Sequence, residues 1–155
     1  MSDDAPAVLV VEDEPLLRLL VAELLLDAGY RVIEAANAAE ALTILNAGLN
    51  VVVLLADVDM PPGMTGYELA HEVQRNWPTI EILITSGRRW PEAGDLPAGA
   101  AFLAKPCPND ALLLHVRSAV DRAGAALPAI AVVPAELPND SADNVVAFPG
   151  AATGT

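Results

Sequence analysis

The sequence predicts an α/β fold in which a five-stranded parallel sheet is doubly wound, with helices on both faces. The first observation is that short apolar segments alternate with segments of helical spacing from residue 7 to residue 122. The second is that residues 51–56 form an unbroken run of Val, Leu and Ala, which is typical of a strand buried on both faces of a parallel sheet. The third is that several apolar segments stop abruptly at polar residues, as expected where strands end at a ligand-binding edge.

Five short apolar segments are predicted to form the strands. The second of them alternates in part between apolar and polar residues, so we expect it nearer an edge of the sheet. In chain order, the predicted strands cover residues 7–11, 30–35, 51–56, 80–85 and 101–104.

Four segments carry apolar residues at helical spacing. Pro15 suits the first turn of the first helix, and Asn37, with Glu40 three residues later, makes a capping-box-like start for the second. Asn109 or Asp110 is expected to cap the last helix. In chain order, the predicted helices cover residues 16–28, 37–48, 65–75 and 111–122.

The segment between the fourth and fifth strands departs from this alternation. Residues 88–99 contain two prolines, Pro91 and Pro97, with glycines among them, and they show no helical period. We therefore expect a loop or a short turn where the alternation would place a helix, so that this helix is short or missing.

The length of 155 residues suits one domain with a tail. We assign residues 6–123 to the domain and residues 124–155, rich in Ala and Pro, to a flexible tail. Within the tail, residues 129–133 and 145–148 are short strand-like pieces.

Composition excludes several classes of function. The formal net charge of -13 argues against binding to nucleic acid or to anionic membrane surfaces, because both depend on Lys and Arg. No apolar run reaches the roughly 18 residues of a membrane-spanning helix, and the N-terminus does not resemble a signal peptide. The single cysteine, Cys107, excludes an internal disulfide. We expect a cytoplasmic protein.

Reactive side chains follow four of the predicted strands, at the edge where the carboxyl ends of parallel strands converge. From residues 51–61 alone, Asp57 could also be a turn former before Pro61. Together, however, several carboxylates would repel one another, and Mg²⁺ with its preference for oxygen ligands is the natural cation to offset that repulsion. A lysine and a hydroxyl could bind phosphoryl oxygens, which predicts an anion-transfer site around a carboxylate nucleophile. The residues are Glu12 and Asp13, Asp57, Thr85 and Ser86, and Lys105.

These motifs resemble the receiver domain of two-component response regulators, which is similar to flavodoxin in fold. The resemblance covers about residues 6–122 and implies the strand order 2-1-3-4-5. It rests on the acidic pair in residues 8–13, the loop of residues 57–61 with Gly66, Ser86-Gly87, and Lys105-Pro106.

By position, the resemblance implies that Asp57 is phosphorylated from the phosphohistidine of a sensor histidine kinase or a phosphotransfer protein. It assigns Mg²⁺ to Glu12, Asp13, Asp57 and the backbone carbonyl of Asp59. It also implies that Lys105 pairs with the phosphate and that Ser86 bonds a phosphoryl oxygen, although Thr85 competes for that role. Phe102 stands at the aromatic switch position. Such a domain would be a phosphoacceptor, not an enzyme, and would signal to an unknown downstream protein or act as a phosphate sink.

The chain departs from the family pattern in two places. The loop of residues 61–66 is one residue longer than the commonest form, and Thr65 stands where an acid is usual. In this family, the face made by the fourth helix and the fifth strand commonly transmits phosphorylation. Because that helix is reduced or missing in residues 88–99, we expect output through rearrangement of this loop and a partner contact. Two alternatives stay open: a haloacid-dehalogenase-like phosphatase using Asp57 and Asp59, and an unphosphorylated pseudo-receiver used as a scaffold.

Overall fold

The computed structural model describes residues 6–61, 63–88 and 90–126. It contains a five-stranded parallel sheet with the order β2-β1-β3-β4-β5, which confirms the predicted fold and strand order. No helix in this part of the chain is long and apolar enough to cross a membrane. The elements are β1 (Ala7–Val11), α1 (Pro15–Asp27), β2 (Arg31–Ala35), α2 (Ala38–Asn46), β3 (Val51–Asp57), α3 (Gly66–Asn76), β4 (Glu81–Ser86), β5 (Ala101–Ala104) and α4 (Asn109–Ala126).

The sheet has a hydrophobic core on each face. Leu54 of β3 belongs to the core that packs under α2 and α3, and Leu55 belongs to the core under α1 and α4. Both side chains are buried, and each contributes about 1.5–3 kcal/mol through removal of apolar surface from water. The unbroken apolar character of β3 therefore follows from its central place between two helical layers.

Local hydrogen bonds start α2 where its predicted cap residue lies, and a further capping box starts α3. The Asn37 side chain accepts from the Glu40 N–H at 2.9 Å, and the Glu40 carboxylate accepts from the Ala36 N–H at 2.7 Å, which gives the capping-box-like start of α2. At α3, Thr65 and Glu68 form a full capping box, each side chain accepting from the other's backbone N–H.

The structure shifts the ends of most predicted elements by one or two residues, and the changes at β4 and α4 concern the site and its neighbours most. β4 begins and ends one residue later than expected, so Ser86 is its last residue. α4 begins at Asn109, and its first turn closes when the Leu112 N–H donates to the Pro108 carbonyl at 2.9 Å, so neither Asn109 nor Asp110 caps it as expected. α4 continues to Ala126, four residues past its predicted end. The rest of the predicted tail, with its strand-like pieces, lies outside the described residues.

The connection between β4 and β5 contains no helix among its described residues, as predicted. Two turns take its place. The Asp95 N–H donates to the Glu92 carbonyl at 3.0 Å, and the Ala100 N–H donates to the Pro97 carbonyl at 3.1 Å. Each turn includes a glycine with a positive φ, 87° at Gly94 and 86° at Gly99, which residues other than glycine adopt at a cost.

Candidate functional site

The carboxyl ends of four strands bring the predicted site residues to one edge of the sheet. Asp57 at the end of β3 pairs in register with Thr85 of β4, and Ser86 pairs with Ala104 of β5. The Lys105 N–H donates to the Ser86 carbonyl at 3.0 Å, which places the lysine directly beyond β5. Parallel pairing thus assembles groups that are separated by up to 93 positions in the chain.

Lys105 joins the two buried carboxylates. Its Nζ lies 3.2 Å from Glu12 Oε1 and 3.2 Å from Asp57 Oδ1. Asp13 completes the acidic cluster: one carboxylate oxygen from each of the three acids lies within 4.8 Å of the others. Glu12 and Asp57 are each only 7% exposed, whereas Asp13 reaches solvent.

Burial and neighbouring charges together shift the pKa values of this cluster. Burial raises the pKa of Glu12 above its usual value, although the charge of Lys105 opposes this and that of Asp57 adds to it. Burial likewise raises the pKa of Asp57 against the opposing charge of Lys105, and the Asp59 and Asp13 charges raise it further. Burial alone would lower the pKa of Lys105, but Asp57 and Glu12 outweigh it and the pKa rises.

The donor set fits a hard divalent cation. Three carboxylates face one ammonium, which leaves an excess of negative charge, and burial keeps the pKa values of Glu12 and Asp57 raised despite the lysine. All the candidate ligand atoms are oxygens, and Asp13 is open to solvent, as suits an ion such as Mg²⁺ that retains water ligands. Asp59, two residues beyond Asp57, is half-buried.

The loop after β3 is held closely against the start of α3. The Gly66 N–H donates to the Val58 carbonyl at 2.9 Å, and the Val58 N–H donates to the Thr85 carbonyl at 3.0 Å. A Cβ on Gly66 would overlap the Asp57 carbonyl oxygen and lie 2.8 Å from the Val58 Cα. The absence of a side chain at position 66 therefore allows the helix to approach the backbone that carries Asp57.

Arg18 is a site neighbour that the sequence reasoning missed. From α1, its Nη1 donates to the Glu12 carbonyl at 2.8 Å, and its Nε lies 3.3 Å from Glu34 Oε1 on β2. It thus ties the acidic loop after β1 to the neighbouring strand. Its position six residues after Glu12 was visible in the sequence, but the pairing with Glu34 requires the β1–β2 register.

The two candidate hydroxyls lie on opposite faces of β4. Thr85 lines the same cavity as Asp57 and Lys105. Ser86 is fully buried, and its Oγ accepts from the Arg88 N–H at 3.2 Å. By the alternation of a strand, Ser86 shares the face of Ile84, whose register partner Phe102 packs against the α2–α3 core. The choice between the two hydroxyls stays a prediction.

An apolar cavity of about 560 Å³ extends from the acidic cluster between α1 and α4. Its polar end is formed by Glu12, Asp57, Thr85 and Lys105, and its walls are mainly leucine and valine. The sequence reasoning did not predict it. The apolar wall residues from the two helices are Leu17, Leu20, Val21, Leu24 and Leu112.

Comparison with known proteins points to one family. The family model described as response regulator receiver domain matches residues 8–117. The hydrogenase transcriptional regulatory protein HoxA of Cupriavidus necator is 35% identical over 130 residues, which are 80% of this chain and 26% of HoxA. The sensor kinase CckA of Brucella abortus is 36% identical over 119 residues, which are 74% of this chain and 12% of the kinase. The chain therefore spans a small part of the length of either relative.

Solved structures agree with this match. The crystal structure of response regulator protein TrrA from Thermotoga maritima, in complex with Mg²⁺ and BeF, has a TM-score of 0.67 and 28% sequence identity. The similarity covers 74% of this chain and 98% of the TrrA chain.

Replacing Gly66 by Ala is expected to lower the free energy of unfolding by about 1–3 kcal/mol, because the added methyl overpacks against the Asp57–Val58 backbone. Urea denaturation measures the change. Gly124→Ala is the matched control: a Cβ there meets nothing within 4 Å, and alanine in a helix gains up to about 1 kcal/mol over glycine. Equal stability of the two variants would contradict the close approach at Gly66.

Replacing Asp57 by Asn is expected to raise the free energy of unfolding at pH 7 when divalent cations are chelated. The pKa of Asp57 is higher in the folded protein, so the folded state holds this proton more tightly than the unfolded state. Ionisation of Asp57 therefore costs stability as the pH rises through its folded-state pKa, whereas the amide of the variant cannot ionise.

The measurement is the difference in unfolding free energy between the variant and the wild type across a pH series. This difference should be smallest below the unfolded-state pKa of about 3.9 and should grow in favour of the variant toward neutral pH. Asp27→Asn, at an exposed position of α1, is the control. If rising pH instead stabilised the wild type relative to the variant, the attraction of Lys105 for the ionised Asp57 carboxylate would outweigh the cost of burying that charge.

Proposed function

The chain belongs to the response regulator receiver domain family, and on that premise we propose that it is the phosphoacceptor of a two-component phosphorelay. Asp57 would take a phosphoryl group from the phosphohistidine of a sensor histidine kinase or a phosphotransfer protein. The observation that carries this proposal is the placement of the Asp57 carboxylate, 3.2 Å from Lys105 Nζ and within one cluster with Glu12 and Asp13.

The acidic cluster would hold Mg²⁺. Asp13, Asp57 and the backbone carbonyl of Asp59 would bind it directly, with Glu12 acting through a water. When bound, the cation supplies positive charge that reduces repulsion between the carboxylates and the incoming phosphoryl oxygens. The complex of the relative TrrA with Mg²⁺ and BeF supports this assignment, as does the all-oxygen donor set of the three acids here.

In the transfer step, an Asp57 Oδ attacks phosphorus, and an O–P bond forms as the P–N bond to the donor histidine breaks. The electron pair of the broken bond stays on the imidazole nitrogen. Lys105, already paired with Asp57 Oδ1, is placed to pair with a phosphoryl oxygen as the carboxylate becomes an acyl phosphate. Ser86 would donate its hydroxyl to another phosphoryl oxygen, which requires its Oγ to turn toward Asp57.

This assignment makes the chain a signalling domain and not a turnover enzyme. Of the two alternatives, a haloacid-dehalogenase-like phosphatase using Asp57 and Asp59 is not favoured, because the family match places Asp57 in a receiver domain. A pseudo-receiver would lack some of the reactive groups, whereas Glu12, Asp57 and Lys105 are all present and in contact.

We further propose that the output is a protein contact in the cytoplasm or the removal of phosphate from a kinase. The net charge of -13 opposes direct contact with DNA. The relatives HoxA and CckA are much longer chains, so their activities as whole proteins do not transfer to this one.

Incubation with acetyl phosphate and Mg²⁺ is expected to add one phosphoryl group, because the pocket presents the Asp57 carboxylate beside Lys105. Intact mass spectrometry detects the adduct. It should be absent in Asp57→Ala and in the presence of EDTA, and present in Asp27→Asn. An unchanged wild-type mass would contradict the proposal, and sustained turnover of a generic phosphate ester would favour the phosphatase.

Ser86→Ala is expected to accept the phosphoryl group but to lose most of the structural response to beryllofluoride, since the hydroxyl that bonds the phosphoryl oxygen is gone. Thr85→Ala is the matched control, because Thr85 is the adjacent hydroxyl on the opposite face of β4. Backbone amide chemical shifts of residues 86–104 with and without beryllofluoride report the response. The reverse result, with Thr85→Ala silent and Ser86→Ala responsive, would transfer the role to Thr85.

A further inference from the structure

Two side chains of α3 hold the connection between β4 and β5. His71 Nε2 lies 2.9 Å from the Gly94 carbonyl oxygen and 3.0 Å from the Asp95 carbonyl oxygen. Because both partners are acceptors, Nε2 must carry the proton and donate. One turn along the same face of α3, Gln74 Nε2 donates to the Ala98 carbonyl at 2.9 Å.

The part of the connection that these side chains hold, residues 92–98, is called the strap here. Besides the turn between Glu92 and Asp95, the Glu92 N–H donates to the Asp95 carboxylate at 2.7 Å. Leu96 packs against the α2–α3 core, and Pro97 is buried. The strap therefore has internal hydrogen bonds, packs against the α2–α3 core and is hydrogen-bonded to two side chains of α3.

The part nearer β4 has a different set of contacts. The Arg88 N–H donates to Ser86 Oγ at 3.2 Å, which links this part to the candidate switch hydroxyl. The Trp90 ring contacts the Phe102 ring on β5, with centroids 5.2 Å apart and planes at 50°, yet Trp90 is 66% exposed. These contacts join the segment around Trp90 to Ser86, the candidate switch hydroxyl, and to Phe102, at the aromatic switch position.

We propose that His71 and Gln74 are positioning residues that anchor the strap where the helix is missing. Phosphorylation then shifts the Trp90 ring relative to the Phe102 ring, while the strap keeps its hydrogen bonds to α3. The inference rests on the proposed function, because the phosphoryl group is what would draw Ser86 Oγ away from the Arg88 N–H. With its far end anchored, the connection can respond near Trp90 without being released from the sheet.

The physical reason is the distribution of contacts. Moving the strap would break three side-chain hydrogen bonds to backbone carbonyls and expose Leu96 and Pro97. On the side nearer β4, the described contacts that movement of Trp90 would disturb include the hydrogen bond from the Arg88 N–H to Ser86 Oγ and the exposed aromatic contact with Phe102. Because the motion that breaks fewer contacts costs less free energy, the response is confined to the part of the connection nearer β4.

The test uses the full chain with Trp77→Phe, which leaves Trp90 as the single tryptophan of the two in the sequence. Mg²⁺ with beryllofluoride is the probe. We expect it to change the Trp90 emission and the hydrogen exchange of the Arg88 amide, and to leave the exchange of the Asp95 and Ala100 amides unchanged. Equal changes at all three amides would overturn the inference, because the strap would then move with Trp90.

The anchoring role is tested with His71→Leu combined with Gln74→Leu. Loss of the hydrogen bonds to the strap should speed exchange of the Asp95 and Ala100 amides by about fivefold to tenfold. It should also reduce the emission change of Trp90 by at least about half, while the phosphoryl adduct from acetyl phosphate forms as before. An undiminished emission change would overturn the inference.

Two controls separate positioning from general damage and from failure of the proposed function. His71→Gln retains a donor and should keep the Trp90 response, whereas His115→Leu, at an exposed histidine of α4, should alter neither readout. If the wild type forms no phosphoryl adduct, the proposed function fails, and this inference fails with it. If the adduct forms and Trp90 does not respond, only this inference fails.

Discussion

The site depends on one lysine placed between two buried carboxylates. Lys105 Nζ lies 3.2 Å from both Glu12 and Asp57, and without it those two acids would be buried beside Asp13 with no compensating charge. Leaving a buried charge without its partner costs several kcal/mol. Even with the lysine, burial raises the pKa of Glu12 and Asp57, so the edge still favours a further cation. The same excess of negative charge supports the proposed binding of a divalent cation at this edge.

The surrounding backbone is organised to keep this cluster together. Gly66 allows α3 to approach the Asp57–Val58 backbone, and Arg18 ties the acidic loop to β2. Neither residue belongs to the acidic cluster, yet each lies against the backbone that carries one of its carboxylates. The geometry of the site therefore depends on contacts between helices and strands as much as on the side chains of the site itself.

The connection between β4 and β5 has no helix among its described residues, yet it is held to the rest of the fold. α3 supplies the hydrogen bonds that hold the strap, and an exposed tryptophan remains beside Phe102. In the proposed response, the signal passes from Ser86 to the segment that contains Arg88 and Trp90, and no helix needs to shift. This arrangement also explains why a Pro- and Gly-rich segment is tolerated here, since its turns satisfy part of its backbone internally.

The sequence by itself determined the order of strands and helices along the chain and the membership of the acidic and lysine cluster. Both follow from local patterns: apolar periodicity defines the elements, and parallel strands necessarily bring the residues that follow them to one edge. Only the tertiary structure decided which hydroxyl faces the cavity with Asp57, that Arg18 reaches Glu34, and that His71 and Gln74 hold the strap. These contacts join residues far apart in the chain, and their distances depend on strand register and helix packing, which no local pattern encodes.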